Sequence, residues 1–159
     1  MTFVTNGAVG ADLTSTTTEA KFALGDMATG NDGSEWIYCR ASETLNQYYS
    51  VAVTRAFAAA QLTNTNAVTA NFYGSAQIAF ATSDYGGICK RSATATLRVA
   101  ASCAKNVALY TTATAGVIDD TATSIAFRLD GVQINTTNSA GGAASKPGII
   151  IYPNIIVPA

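Results

Sequence analysis

The chain has 159 residues, and nine Lys and Arg against ten Asp and Glu give a formal net charge of -1. Hydrophobic residues make up 48% and charged residues only 12%, about half the charged share of an ordinary soluble domain. Histidine is absent, which excludes Ser-His-Asp and Cys-His catalysis and His-ligated metals, and the balanced charge gives no basic footprint for nucleic acid.

In chain order, residues 1–19 read as an extended N-terminal arm and residues 20–159 as a single β domain. Residues 2–18 are rich in Thr, Gly, Ala and Asn without clean periodicity. Two readings stand: a disordered tail, or an arm that orders on a partner. The turn signal of residues 30–33 precedes a strand over residues 34–41. There Trp36, Tyr38 and Arg40 share one face and Ile37, Cys39 and Ala41 the other. A second strand is expected over residues 47–54. The Ala-rich residues 55–61 predict one or two turns of helix, which the following Thr and Asn stop. Residues 75–81 predict a strand with Ala76, Ile78 and Phe80 on one face. Residues 82–87 predict a turn in which glycine supplies the positive φ angles.

Residues 88–100 form the clearest periodic segment. Ala93, Ala95, Leu97 and Val99 point inward, Thr94, Thr96 and Arg98 outward, with a break or bulge near Arg91 and Ser92. Further strands are expected over residues 107–111, 124–127 and 130–135, with a turn at 114–116 and a loop over 135–147. The C-terminus is very apolar. Short strands with regular turn signals and no βαβ rhythm predict an all-β fold, a small barrel, a β-tulip-like domain or a sandwich.

The longest apolar run, residues 56–60, is far short of the ~20 residues that span a bilayer, so no membrane partner is expected. The first residues carry no basic n-region or apolar h-region, which predicts no signal peptide. The three cysteines, Cys39, Cys89 and Cys103, are odd in number and widely spaced, as in a chain made in a reducing cytoplasm.

Candidate chemistry is sparse. Asp119 and Asp120 resemble half of a hard-cation site, but neighbouring residues on an extended strand point to opposite faces, so turn or edge residues are expected. Asp26 and Asp32 lack calcium-loop spacing. Cys89 lies beside Lys90 and Arg91, which lower a thiol pKa, yet no base or orienting group accompanies it. All three thiols are expected as small buried hydrophobes. The aromatic residues fit packing better than a stacking platform. No catalytic residue, no metal and no cofactor are expected, and the chain is expected not to be an enzyme.

A monomer of this mass exposes about 7,500 Å². The nineteen charges then stand about one per 400 Å², sparse for a surface that faces only water. Copies of the chain or a partner are expected to cover part of it. In an alternating strand, half of the C-terminal apolar residues face outward. Ile149, Ile151, Ile155 and Val157 are therefore the candidate oligomer interface. Phe3, Val4 and Leu13 are the candidate anchors of the arm.

Three stretches carry a family resemblance. Residues 32–41 with Asn46, Gln47 and Tyr48, residues 76–87 and residues 99–116 resemble small head proteins of tailed bacteriophages. The pattern looks like that of capsid decoration, or cement, proteins, and departs from it at Gly87 and Ser92. The resemblance implies a β-barrel or β-tulip-like domain that forms a homotrimer on the outer capsid surface. It implies the major capsid protein as partner, and synthesis in the cytoplasm of a bacterial host. The alternative is another virion component: a head-fibre base, a tail protein or a host-glycan-binding module.

Overall fold

A computed structural model describes residues 12–156. The elements in chain order are β1 (Met27–Thr29), β2 (Glu35–Ala41), β3 (Ser50–Val53), β4 (Ala58–Gln61), α1 (Asn64–Ala67), β5 (Phe72–Ser75), β6 (Tyr85–Val99), β7 (Leu109–Thr111), β8 (Ile118–Asp119), β9 (Arg128–Ile134) and β10 (Ala144–Ile156). The fold is all-β, as the strand and turn rhythm predicts.

The strands close into two rings that share β6. The first runs β2–β4–β3–β5–β6 and returns to β2; the second runs β6–β10–β9–β7–β8 and returns to β6. Each ring has a single parallel pair, β2–β4 and β6–β8. Ring closure removes most free strand edges. Among the described strands only β1 has a single partner, β2.

The long β6 serves both rings in turn. Residues 85–91 pair with β2 and residues 91–99 pair with β10, so the strand changes partner at Arg91. The break expected near Arg91 and Ser92 takes the form of two register shifts around that point. One leaves Lys90 without a partner on β2. The other sets Ala93 and Thr94 against β10 where it passes Ile149. The second bulge turns Ala93 outward, against the expectation, while Ala95, Leu97 and Val99 are buried as expected.

Period-two alternation fills both interiors. Ile37, Cys39, Val51, Val53, Phe80 and Ile88 pack in the first ring. Leu97, Val99, Leu109, Ile118, Ile134 and Ile150 pack in the second. The outer face of the β3–β5 wall is buried too. Ala52 and Tyr73 turn away from the first interior and join the second core, which explains why every residue of β3 is buried.

Several local expectations are corrected. Residues 58–61 form β4 rather than helix, because Ala58–Gln61 is hydrogen-bonded by β3 on one side and meets β2 on the other. Strand pairing outweighs the weak helix preference of alanine. The helical turn lies at α1, within the Thr and Asn expected to stop it. Thr63 Oγ1 accepts from the Asn66 amide and Asn66 Oδ1 accepts from the Thr63 amide, a reciprocal cap. The strand expected over residues 75–81 ends at Ser75. Gln77 then uses its side chain in place of a ladder, donating to the Thr96 carbonyl at 2.9 Å and accepting from the Thr96 amide at 3.0 Å. Ala76 and Phe80 are nonetheless buried.

The turn before β6 is only residues 82–84, and its positive φ falls on Ser83. Gly86 and Gly87 are strand residues whose missing side chains make room. A Cβ at Gly86 would lie 2.8 Å from the Phe80 ring, and one at Gly87 would lie 3.3 Å from Trp36. Residues 124–127 form a turn rather than a strand. The loop expected over 135–147 ends at residue 143, where β10 begins. Asn138 orders that loop, donating to the Ala100 and Gly142 carbonyls.

Of the arm expected over residues 1–19, only residues 12–19 are described. From residue 12 onward the chain lies on its own first ring. Thr17 and Tyr85 exchange backbone hydrogen bonds of 2.9 and 2.8 Å. Phe22 packs edge-on against Tyr38 with ring centroids 5.3 Å apart. Leu13, a candidate partner anchor, is half-buried over Gly87 and Trp36 of its own sheet. Phe3 and Val4 lie outside the described residues, as does Val157.

Candidate interaction groove

Strands β9 and β10 and the segment leading into β7 border a groove of about 380 Å³. The register explains what lines it. Ile149 pairs with Gln133 and Ile150 with Val132. With Ile150 buried in the second core, alternation sends Ile149 and Ile151 outward. Val107 adds apolar surface, and Asn106 and Gln133 add polar rim. Arg128 and Asp130 pair at 2.8 Å on the same wall. That pair is exposed and contributes little stability, but it leaves no unbalanced charge there.

Two of the four expected interface residues, Ile149 and Ile151, therefore meet in one groove. Ile155 does not, and its assignment is corrected. Between Ile150 and Asn154 the β10 register shifts, and residues 151–153 stand against Gly131 alone. Gly131 has φ +74, and a Cβ there would lie 2.4 Å from the Ile151 carbonyl oxygen, so the bulge needs glycine at this point. The shift reverses the alternation. Pro153 is buried, and Ile155 packs against the second core.

Sequence reasoning missed Val107, because its neighbourhood is built by non-local pairing. Apolar groups are also exposed elsewhere: Phe22, Leu24 and Met27 before and within β1, Val68 after α1, and Ile125 in the turn before β9. Ile151 is 56% exposed and Tyr152 52%, which makes the β10 bulge the most prominent apolar feature beside the groove.

The acidic pair behaves differently from expectation. Ligand atoms of Asp119 and Asp120 lie within 4.8 Å of each other and of the Cys103 sulfur, so the two side chains do not point apart. They act as local ties. Asp120 accepts from the Ala104 amide at 2.9 Å, and Asp119 accepts from the Asp120 amide at 2.9 Å. Burial, followed by the nearby Asp120, raises the Asp119 carboxyl above its ordinary value. The three oxygen and sulfur donors fall short of the six or more oxygens a hard cation takes.

All three cysteines are buried free thiols, as expected. Burial pushes Cys39 and Cys89 up to about 12 and Cys103 to about 11. The neutral thiol is a poor nucleophile, and Lys90 and Arg91 do not offset burial at Cys89. Among the described residues, no helix is long and apolar enough to cross a membrane. Comparison with protein-family models, curated proteins and solved structures finds no match.

Proposed function

We propose that this protein is a structural component of a phage virion that decorates the capsid, bridging neighbouring major capsid proteins from the outer surface as a homotrimer. The observation that carries an interaction role is the apolar groove on the β9–β10 wall, in a chain with only nineteen charges over 7855 Å² of surface. Exposed contiguous apolar surface marks a contact with another protein. The resemblance of residues 32–41 with Asn46, Gln47 and Tyr48, of residues 76–87 and of residues 99–116 to decoration proteins points to a shell as the place of that contact. Two closed rings around packed cores suit a part that must hold its shape while it binds. Decoration acts by mass action: a protein that binds only the assembled shell stabilises it, and repeated contacts on one lattice add through avidity.

Cyclic closure satisfies an apolar groove without open polymerisation. Light scattering on the purified chain is expected to give three times the chain mass. Ile151→Asp, which places a charge in the groove without touching either core, is expected to give the single-chain mass with an unchanged circular dichroism spectrum. A wild-type chain that stays monomeric in solution and on shells contradicts the trimer.

A further inference from the structure

We propose that Tyr152, Glu35 and Arg91 form a latch that fixes the bulge of β10 and, through it, the Ile151 wall of the groove. The proposal concerns the chain itself and stands without the capsid reading.

Arg91 occupies the crossing point of the fold. It pairs with Glu35 of β2 on one side and with Ile151 of β10 on the other. One row of residues thus crosses both rings. Just beyond it β10 leaves its ladder with β9 for residues 151–153. Tyr152, inside this bulge, has φ +46, a left-handed conformation unfavourable for a bulky residue. Burial does not hold it there, because half of Tyr152 is exposed. Its hydroxyl instead reaches back over β6 and donates to Glu35 Oε1 at 2.6 Å. The same oxygen accepts from Arg91 Nη1 at 3.0 Å. Hydrogen bonds to an ionised carboxylate are short and strong. One carboxylate therefore ties the strained residue of the second ring to a strand of the first.

The charges around Glu35 are few. From β6 it faces Arg91, with Lys90 more distant; from β10 it faces Tyr152; its β1 partner is the uncharged Thr29. The Tyr152 hydroxyl, and after it Arg91, holds the Glu35 carboxyl below its ordinary value. A lowered folded value means that the latch is complete above the ordinary carboxylate value and is lost as pH falls through the folded one. Glu35 in turn holds the Tyr152 phenol above its ordinary value. At the alkaline end the latch therefore holds to higher pH than an ordinary phenol would allow.

The test is an NMR titration of the free full chain, following the Glu35 side chain and the Ile151 methyl. In the wild type both signals are expected to move with one shared acid midpoint. Tyr152→Phe, which keeps the ring and removes only the hydroxyl, is expected to abolish the Ile151 movement. Glu35→Gln is expected to hold Ile151 at its acid position at every pH. Amide exchange at Ile150 and Asn154 is expected to rise at least about tenfold in Tyr152→Phe, with Leu97 and Val99 unchanged, as for a local opening. An Ile151 methyl that stays still while Glu35 titrates, or that moves equally in both variants, overturns the latch.

Discussion

Phe80→Ala is expected to lower the free energy of unfolding by about 3–5 kcal/mol, the range for losing a fully buried aromatic side chain. Phe80 is 2% exposed and anchors the irregular segment after β5. Within that segment Phe80 and Leu45 exchange two backbone hydrogen bonds across the first ring. The ring of Phe80 fills the space left by Gly86, where a Cβ would lie only 2.8 Å away. Removing the ring leaves a cavity whose cost adds to the lost burial. Leu97→Ala probes the second ring in the same way and is expected to cost about 2–5 kcal/mol. Urea unfolding with an unchanged denaturant slope checks both. A loss under about 1 kcal/mol for Phe80→Ala would mean that the first ring does not depend on its interior as described.

Removal of residues 1–11 is expected to separate folding from shell binding. Among the described residues, the contacts that dock the N-terminal region include Leu13 over Gly87 and the Thr17–Tyr85 pairing. A cut before Asp12 keeps them, whereas a cut before Ala20 would strip native contacts and confuse the two effects. The shortened chain is expected to melt within a few degrees of the full one and to keep its oligomeric state. It loses Phe3 and Val4, the residues proposed to anchor in a partner pocket. Burial of one Phe contributes about 2 kcal/mol, roughly 30-fold in affinity, and avidity multiplies that over a lattice. Co-sedimentation with shells checks the outcome. Equal binding by the shortened chain would show that the first eleven residues make no contact that matters.

Much of the fold is legible in local pattern. Ile37, Cys39 and Ala41 alternate inward as the sequence shows, and the long β6 with its irregularity near Arg91 follows from residues 88–100. The ring closures are not legible. The parallel pairs β2–β4 and β6–β8 join segments with no shared local signal, and β4 itself reads as helix because alanine prefers one. Tertiary pairing decides there. Glycine also misleads at residues 86 and 87, where it serves close packing against Phe80 and Trp36 rather than a turn. At the groove, Ile149 and Ile151 are legible as the outward half of an apolar strand. Ile155 is not, because the bulge at residues 151–153 reverses the alternation. That bulge depends on Gly131, twenty residues earlier, and on Glu35, more than a hundred residues away. Leu13 reads as a free anchor because nothing local reveals that Gly87 opens a seat for it.

Electron microscopy of intact particles tests the central claim most directly. Trimeric density, each copy two fused rings, is expected on the outer face of the shell where neighbouring capsid proteins meet. The β9–β10 groove is expected to be buried in a contact. Shells that lack this density, or density confined to the tail or to fibres, would contradict the account.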